Sequence, residues 1–120
     1  MRAIVLVDGE HYPPVTRWAL DVARARGFDV VGALLVGGNE KVGAGELPDL
    51  GVPLRPAADD RNEALRAAIG DWTPDVILDV SDEPVLGYRE RMEVAAVALA
   101  MGVPYEGADF RFDPPPAAPP

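Results

Sequence analysis

Cysteine is absent from this 120-residue chain, which excludes disulfides and thiolate metal sites. Histidine occurs once, as His11, so a polyhistidine metal centre within one chain is excluded as well. No apolar run is longer than a strand, and Met1-Arg2 leads straight into the first of them. Neither a membrane span nor a signal peptide is therefore expected, and the chain reads as soluble and cytoplasmic. Basic residues are scarce, 11 against 20 acidic ones, for a formal net charge of −9. A field of that sign repels nucleic acid and anionic membranes. It leaves a polyanionic ligand only a local basic cluster or a metal ion through which to bind. Two phosphate-binding signatures are also missing. Asp8-Gly9-Glu10-His11-Tyr12 lacks the spaced glycines of a dinucleotide fingerprint, and no Gly-x-x-x-x-Gly-Lys-Ser/Thr loop for ATP occurs anywhere.

What is present is a regular alternation of strand and helix periods. An apolar content of 48% supports a packed core, and the length suits one domain. Ala3 to Val7 is continuously apolar, as in a strand buried on both faces. Pro14 fits the first turn of a helix, with Val15, Trp18, Ala19, Val22 and Ala23 on its apolar face and Gly27 at its end. Val30 to Val36 is a second strand and Val52-Pro53-Leu54 a short third. Asp60 followed by Glu63 resembles a capping box at the start of a second helix, whose stripe is Ala64, Leu65, Ala68, Ile69 and Trp72. Asp75 to Val80 is a fourth strand. A third helix spans about Gly87 to Met101, with Met92, Ala95, Ala96, Leu99 and Ala100 expected inward, and Val103-Pro104-Tyr105 begins a fifth strand.

Right-handed crossovers then imply a Rossmann-like, doubly wound α/β fold. Its mostly parallel sheet has about five strands in the order 3-2-1-4-5, with helices on both faces. Residues 1–113 form this domain. Residues 114–120, all proline and alanine, form a semi-rigid tail or the start of an interdomain linker.

In such a sheet ligands bind beyond the carboxyl ends of the strands, where three apolar runs break into polar clusters. Asp8 and Glu10 in the first cluster are hard oxygen donors suited to Mg²⁺; alternatively, Asp8 bonds loop amides and Glu10 faces solvent. His11 can donate to an anion or move a proton near neutral pH, and a structural histidine bonded to the loop is the equal alternative. Arg89 and Arg91, beyond Asp82 and Glu83, have the fork geometry for phosphate or carboxylate, or else pair with nearby acids. Positions two apart on a helix face different ways, so one of the two is expected to reach a ligand, with Arg89 preferred. Asp109-Phe110-Arg111-Phe112-Asp113 alternates charge and aromatic. It reads as an amphipathic strand or docking pad, or as an arm folded back over the protein's own core.

Taken together, four segments resemble the N-terminal part of cyclic 2,3-diphosphoglycerate synthetases. These are Asp8-Gly9-Glu10-His11-Tyr12-Pro13-Pro14, Gly37-Gly38-Asn39-Glu40-Lys41, the stretch from Ser81 to Arg91, and Gly107 to Asp113. The resemblance runs from Arg2 to Pro114. It implies one domain of an ATP-dependent ligase that closes 2,3-diphosphoglycerate through an intramolecular phosphoanhydride. ATP would be held by a following P-loop domain, and Mg²⁺ would assist. It further implies that His11, Lys41, Arg89, Arg91 and Arg111 bind the phosphorylated acid, while Asp8, Glu10, Asp82 or Glu83 position metal-bound water. The isolated chain is then expected to assist substrate binding or domain assembly without catalysis of its own. The competing expectations are a module binding another small anion, and an interaction domain docking a partner or a second copy in a homodimer.

Overall fold

The computed structural model describes residues 1–8, 14–36, 51–56, 60–79, 88–107 and 111–112. Along them run β1 (Arg2–Asp8), α1 (Pro14–Ala25), β2 (Asp29–Val36), β3 (Leu54–Pro56) and α2 (Arg61–Trp72). They are followed by β4 (Val76–Leu78), α3 (Tyr88–Ala100), β5 (Tyr105–Glu106) and β6 (Arg111–Phe112). The sheet order is β3-β2-β1-β4-β5-β6. The first five strands are mutually parallel, so the expected order 3-2-1-4-5 holds. A sixth strand extends it. Phe112 and Arg111 pair antiparallel with Tyr105 and Glu106, so these two residues of the alternating segment add an edge strand to the protein's own sheet.

Both faces of β1 are covered, which is why its sequence is apolar without alternation. Ile4 and Leu6 join Leu65, Ala68 and Ile69 of α2 and Val94, Ala95 and Ala98 of α3 in one core. Ala3 and Val5 point the other way and pack with Leu20 and Ala23 of α1. One helix therefore covers one face and two cover the other, as right-handed crossovers on either side of β1 require.

Local signals set the boundaries. The Asp60 carboxylate accepts from the Glu63 amide at 3.0 Å and caps α2 as expected. β3 lies two residues later than its sequence suggested, and Pro53, just before it, contributes its carbonyl, 2.9 Å from the Ala33 amide. The ladder of β4 is confined to Val76–Leu78, flanked by Asp75 and Asp79.

The inward face of α3 also differs from expectation. Met92, Ala96 and Ala100 are exposed and Leu99 is half-buried, whereas Arg91, Val94, Ala95, Val97 and Ala98 are buried. The helix is apolar on most sides, so periodicity alone leaves its rotation open. Turning Val94 and Val97 inward removes more apolar area from water than turning Ala96 and Ala100 would. Among the described residues, no helix is long and apolar enough to cross a membrane.

Candidate functional site

Because β1 to β5 are parallel, their C-terminal ends share one rim. α1 leaves β1 over one face, while α3 leaves the neighbouring β4 over the other. The β1–β4 boundary is thus the topological switch point, the place where ligands of open α/β sheets bind. β1 ends there in Asp8. β4 pairs Leu78 with Val5, and Asp79 follows as the first residue beyond the ladder.

Asp79 is 3% exposed. Its amide donates to the Glu106 carbonyl at 2.9 Å, holding β4 to β5 at the rim. Its Oδ2 lies 3.5 Å from the hydroxyl of Tyr105, which is wholly buried. A carboxylate in such surroundings needs polar partners, and Tyr105 brings a donor from the adjacent strand.

Three arginines begin the two helices on the α2–α3 face. Arg91 is 7% exposed in α3. Arg61 opens α2, and its Nη2 donates to Glu93 Oε2 at 3.0 Å. Arg89 lies one turn before Glu93 and places Nε 3.6 Å from Oε1, with 89% of its side chain exposed. As helix geometry required, Arg89 and Arg91 face different ways: Arg91 turns inward, and Arg89, the one preferred from sequence, turns out to solvent and Glu93.

Of the other residues singled out from the sequence, Asp8 closes β1 and Arg111 opens the edge strand β6. Glu10, His11, Lys41, Asp82 and Glu83 lie outside the described residues. Among the described residues, no group of three or more His, Asp or Glu side chains is arranged to hold a metal ion. Sequence reasoning passed over Arg61, Asp79, Glu93 and Tyr105. Asp79 carried a visible signal, an acid interrupting the apolar run from Val76 to Val80. The Arg61–Glu93 pair carried none, since the two residues are 32 positions apart.

Residues 2–113 match the family model described as the N-terminal domain of cyclic 2,3-diphosphoglycerate synthetase. The chain is 47% identical over 116 residues to the cyclic 2,3-diphosphoglycerate synthetase of Rubrobacter xylanophilus, covering 96% of this chain and 26% of that protein. Against the synthetase of Thermococcus kodakarensis it is 43% identical over 115 residues, covering 94% and 26%. Against that of Methanothermus fervidus it is 33% identical over 121 residues, again covering 94% and 26%. The chain thus spans about a quarter of the length of these curated relatives.

Proposed function

Because the chain belongs to the family of cyclic 2,3-diphosphoglycerate synthetase N-terminal domains, we propose that it binds the phosphorylated acid for an ATP-dependent, ring-closing ligase. The observation that carries this reading is the family match over residues 2–113. In the proposed reaction, two phosphates of 2,3-diphosphoglycerate join in an intramolecular phosphoanhydride, and the oxygen lost on joining leaves in inorganic phosphate as ATP is converted to ADP. Crowding that many negative charges together is opposed by Coulomb repulsion, so the site must supply fixed positive groups and exclude water from the activated phosphoryl group.

Within this chain, His11, Lys41, Arg89 and Arg111 are the groups proposed to contact phosphate and carboxylate oxygens; Arg91, expected with them from the sequence, is buried in α3 and is proposed to support the rim from within. An arginine offers a planar fork of donors matched to either group, and a lysine a compact charge. The residues of this chain do not fit ATP, since no phosphate-cradling loop occurs in the sequence. The nucleotide is assigned to a P-loop domain elsewhere in the enzyme. The donor chemistry does fit Mg²⁺. Asp8 at the end of β1, with Glu10, Asp82 and Glu83, supplies hard carboxylate oxygens to hold a hydrated ion, which would offset phosphate charge. The remaining work of the domain is to bind and orient the acid, and the chain alone is not expected to catalyse.

Joint substitution of Lys41 and Arg89 by alanine in the full-length enzyme tests the proposal. Binding of 2,3-diphosphoglycerate and turnover should both be lost, and unchanged affinity and turnover would end it. A parallel thermal-shift experiment should show stabilisation by 2,3-diphosphoglycerate beyond that from inorganic phosphate. Equal shifts would point to a module for some other anion.

A further inference from the structure

The contact between α2 and α3 brings two guanidinium groups onto one carboxylate in an acidic protein. Glu93 accepts from Arg61 at 3.0 Å through one carboxylate oxygen and faces Arg89 at 3.6 Å through the other. Two guanidinium groups thus share one carboxylate, while the chain as a whole carries −9. α2 follows the C-terminal end of β3, and α3 follows that of β4. Arg61, the first residue of α2, and Arg89, in the first turn of α3, therefore stand at the rim where ligands of a parallel sheet bind.

Stability alone gives little reason for this arrangement. Arg61 and Glu93 retain 26% and 42% of their side-chain exposure, and Arg89 89%. Ion pairs that open to water contribute little to folding. The Nε of Arg61 is moreover buried without a hydrogen-bond partner among the described residues, which is a cost and not a gain. What Glu93 does achieve is to hold two arginines from different helices side by side. Each guanidinium has five N–H donors, so most remain for a second acceptor.

We infer that Arg61 and Arg89, positioned by Glu93, form a two-armed clamp for one anionic group, phosphate or carboxylate, of the phosphorylated acid. The inference rests on the substrate reading above. To it, Arg61 is added as a binding residue and Glu93 as a positioning residue. Holding both forks in place before the ligand arrives removes an ordering cost that two free surface arginines would incur on binding.

The test is calorimetric titration of 2,3-diphosphoglycerate into the full-length protein and its variants, with a melting curve for each. Arg61→Ala should weaken binding by about tenfold to a hundredfold, the loss expected for charge-assisted hydrogen bonds. Arg61→Lys should retain part of the affinity, because it keeps the charge without the fork. It also carries the test if the alanine variant does not fold. Glu93→Gln should weaken binding several-fold with a small change in melting temperature; tighter binding would show that Glu93 merely screens the arginines and would overturn its positioning role. Arg66→Ala, on the same helix and, among the described residues, paired locally with Glu63, should leave affinity unchanged. Wild-type binding with unaltered affinity in both Arg61 variants would overturn the clamp alone. Absence of binding by the wild type would overturn the substrate reading, and the clamp's occupant with it.

Discussion

The Tyr105 hydroxyl stands 3.5 Å from Oδ2 of Asp79 in a part of the core where both residues are almost completely removed from water. Asp79 immediately precedes residues 80–87, the connection that carries Asp82 and Glu83. Its fixation bears on where that connection leaves the sheet. Tyr105→Phe removes the donor and keeps the ring, so the change isolates the hydroxyl. At 3.5 Å the contact is long, and the expected loss is about 1 kcal/mol, the lower part of the range for depriving a buried acceptor. Urea denaturation of wild type and variant measures it; an unchanged midpoint would show that the carboxylate does not depend on this hydroxyl.

A second prediction concerns Gly32 in the middle of β2. The ring of Trp72, at the end of α2, lies so close over its backbone that an added Cβ would collide with the ring. Arg55 caps the same indole at 4.8 Å from the ring centre and is itself held by Asp71 at 2.7 Å, so the ring has a neighbour that resists displacement. Elsewhere in a strand, glycine to alanine is favourable by roughly 0.5–1 kcal/mol. At this position Gly32→Ala should instead destabilise by about 1–3 kcal/mol, the usual consequence of overpacking. Chemical denaturation gives the sign directly. A stabilised variant would mean that the ring moves aside freely.

Much of the fold was legible because local chemistry and long-range packing agree. The continuous apolar run of β1 announced two covered faces, and Asp60 announced the start of α2. The order 3-2-1-4-5 was the natural choice for such an alternation, although alternation and crossover handedness alone also admit 2-1-3-4-5. The α3 face was not legible: Met92, Ala96 and Leu99 satisfy helical spacing as well as Val94, Ala95 and Ala98 do. Only the shape of the sheet and of α2 selects between them. Of the site, Arg91 and Arg89 were visible as a pair, but a sequence does not say which one the helix buries. Arg61 and Glu93 meet across 32 positions, so their relationship exists only once α2 and α3 pack.

The α2 cap supplies a third prediction. Asp60 accepts from the Glu63 amide at 3.0 Å, satisfying one of the N–H groups that the first turn leaves without a helical partner. Asp60→Ala should cost about 1 kcal/mol and Asp60→Asn much less, since asparagine offers the same acceptor. Denaturation midpoints at unchanged m-value would establish it. Equal losses in the two variants would assign the effect to charge at the helix start and not to the hydrogen bond.

Neighbouring arginines on α3 supply the last prediction, and it governs how binding data on this domain should be read. The Arg89 side chain is 89% exposed and pairs with Glu93 at 3.6 Å in an i,i+4 arrangement. Such a pair contributes little, so Arg89→Ala should change stability by no more than about 0.5 kcal/mol. Arg91 is 7% exposed, and its aliphatic stem and guanidinium are both enclosed. Arg91→Ala leaves a cavity where a nearly fully buried side chain stood, for an expected loss of about 2 kcal/mol or more. Arg91→Lys should recover only part of it, because the planar fork is not reproduced. Thermal and urea denaturation of the three variants measure these effects, and equal losses at the two positions would contradict the burial difference. With this ordering, weaker substrate binding in Arg89→Ala reports a lost contact. The same observation in Arg91→Ala first requires the folded fraction to be measured, since an arginine that supports the rim from within can abolish binding without touching the ligand.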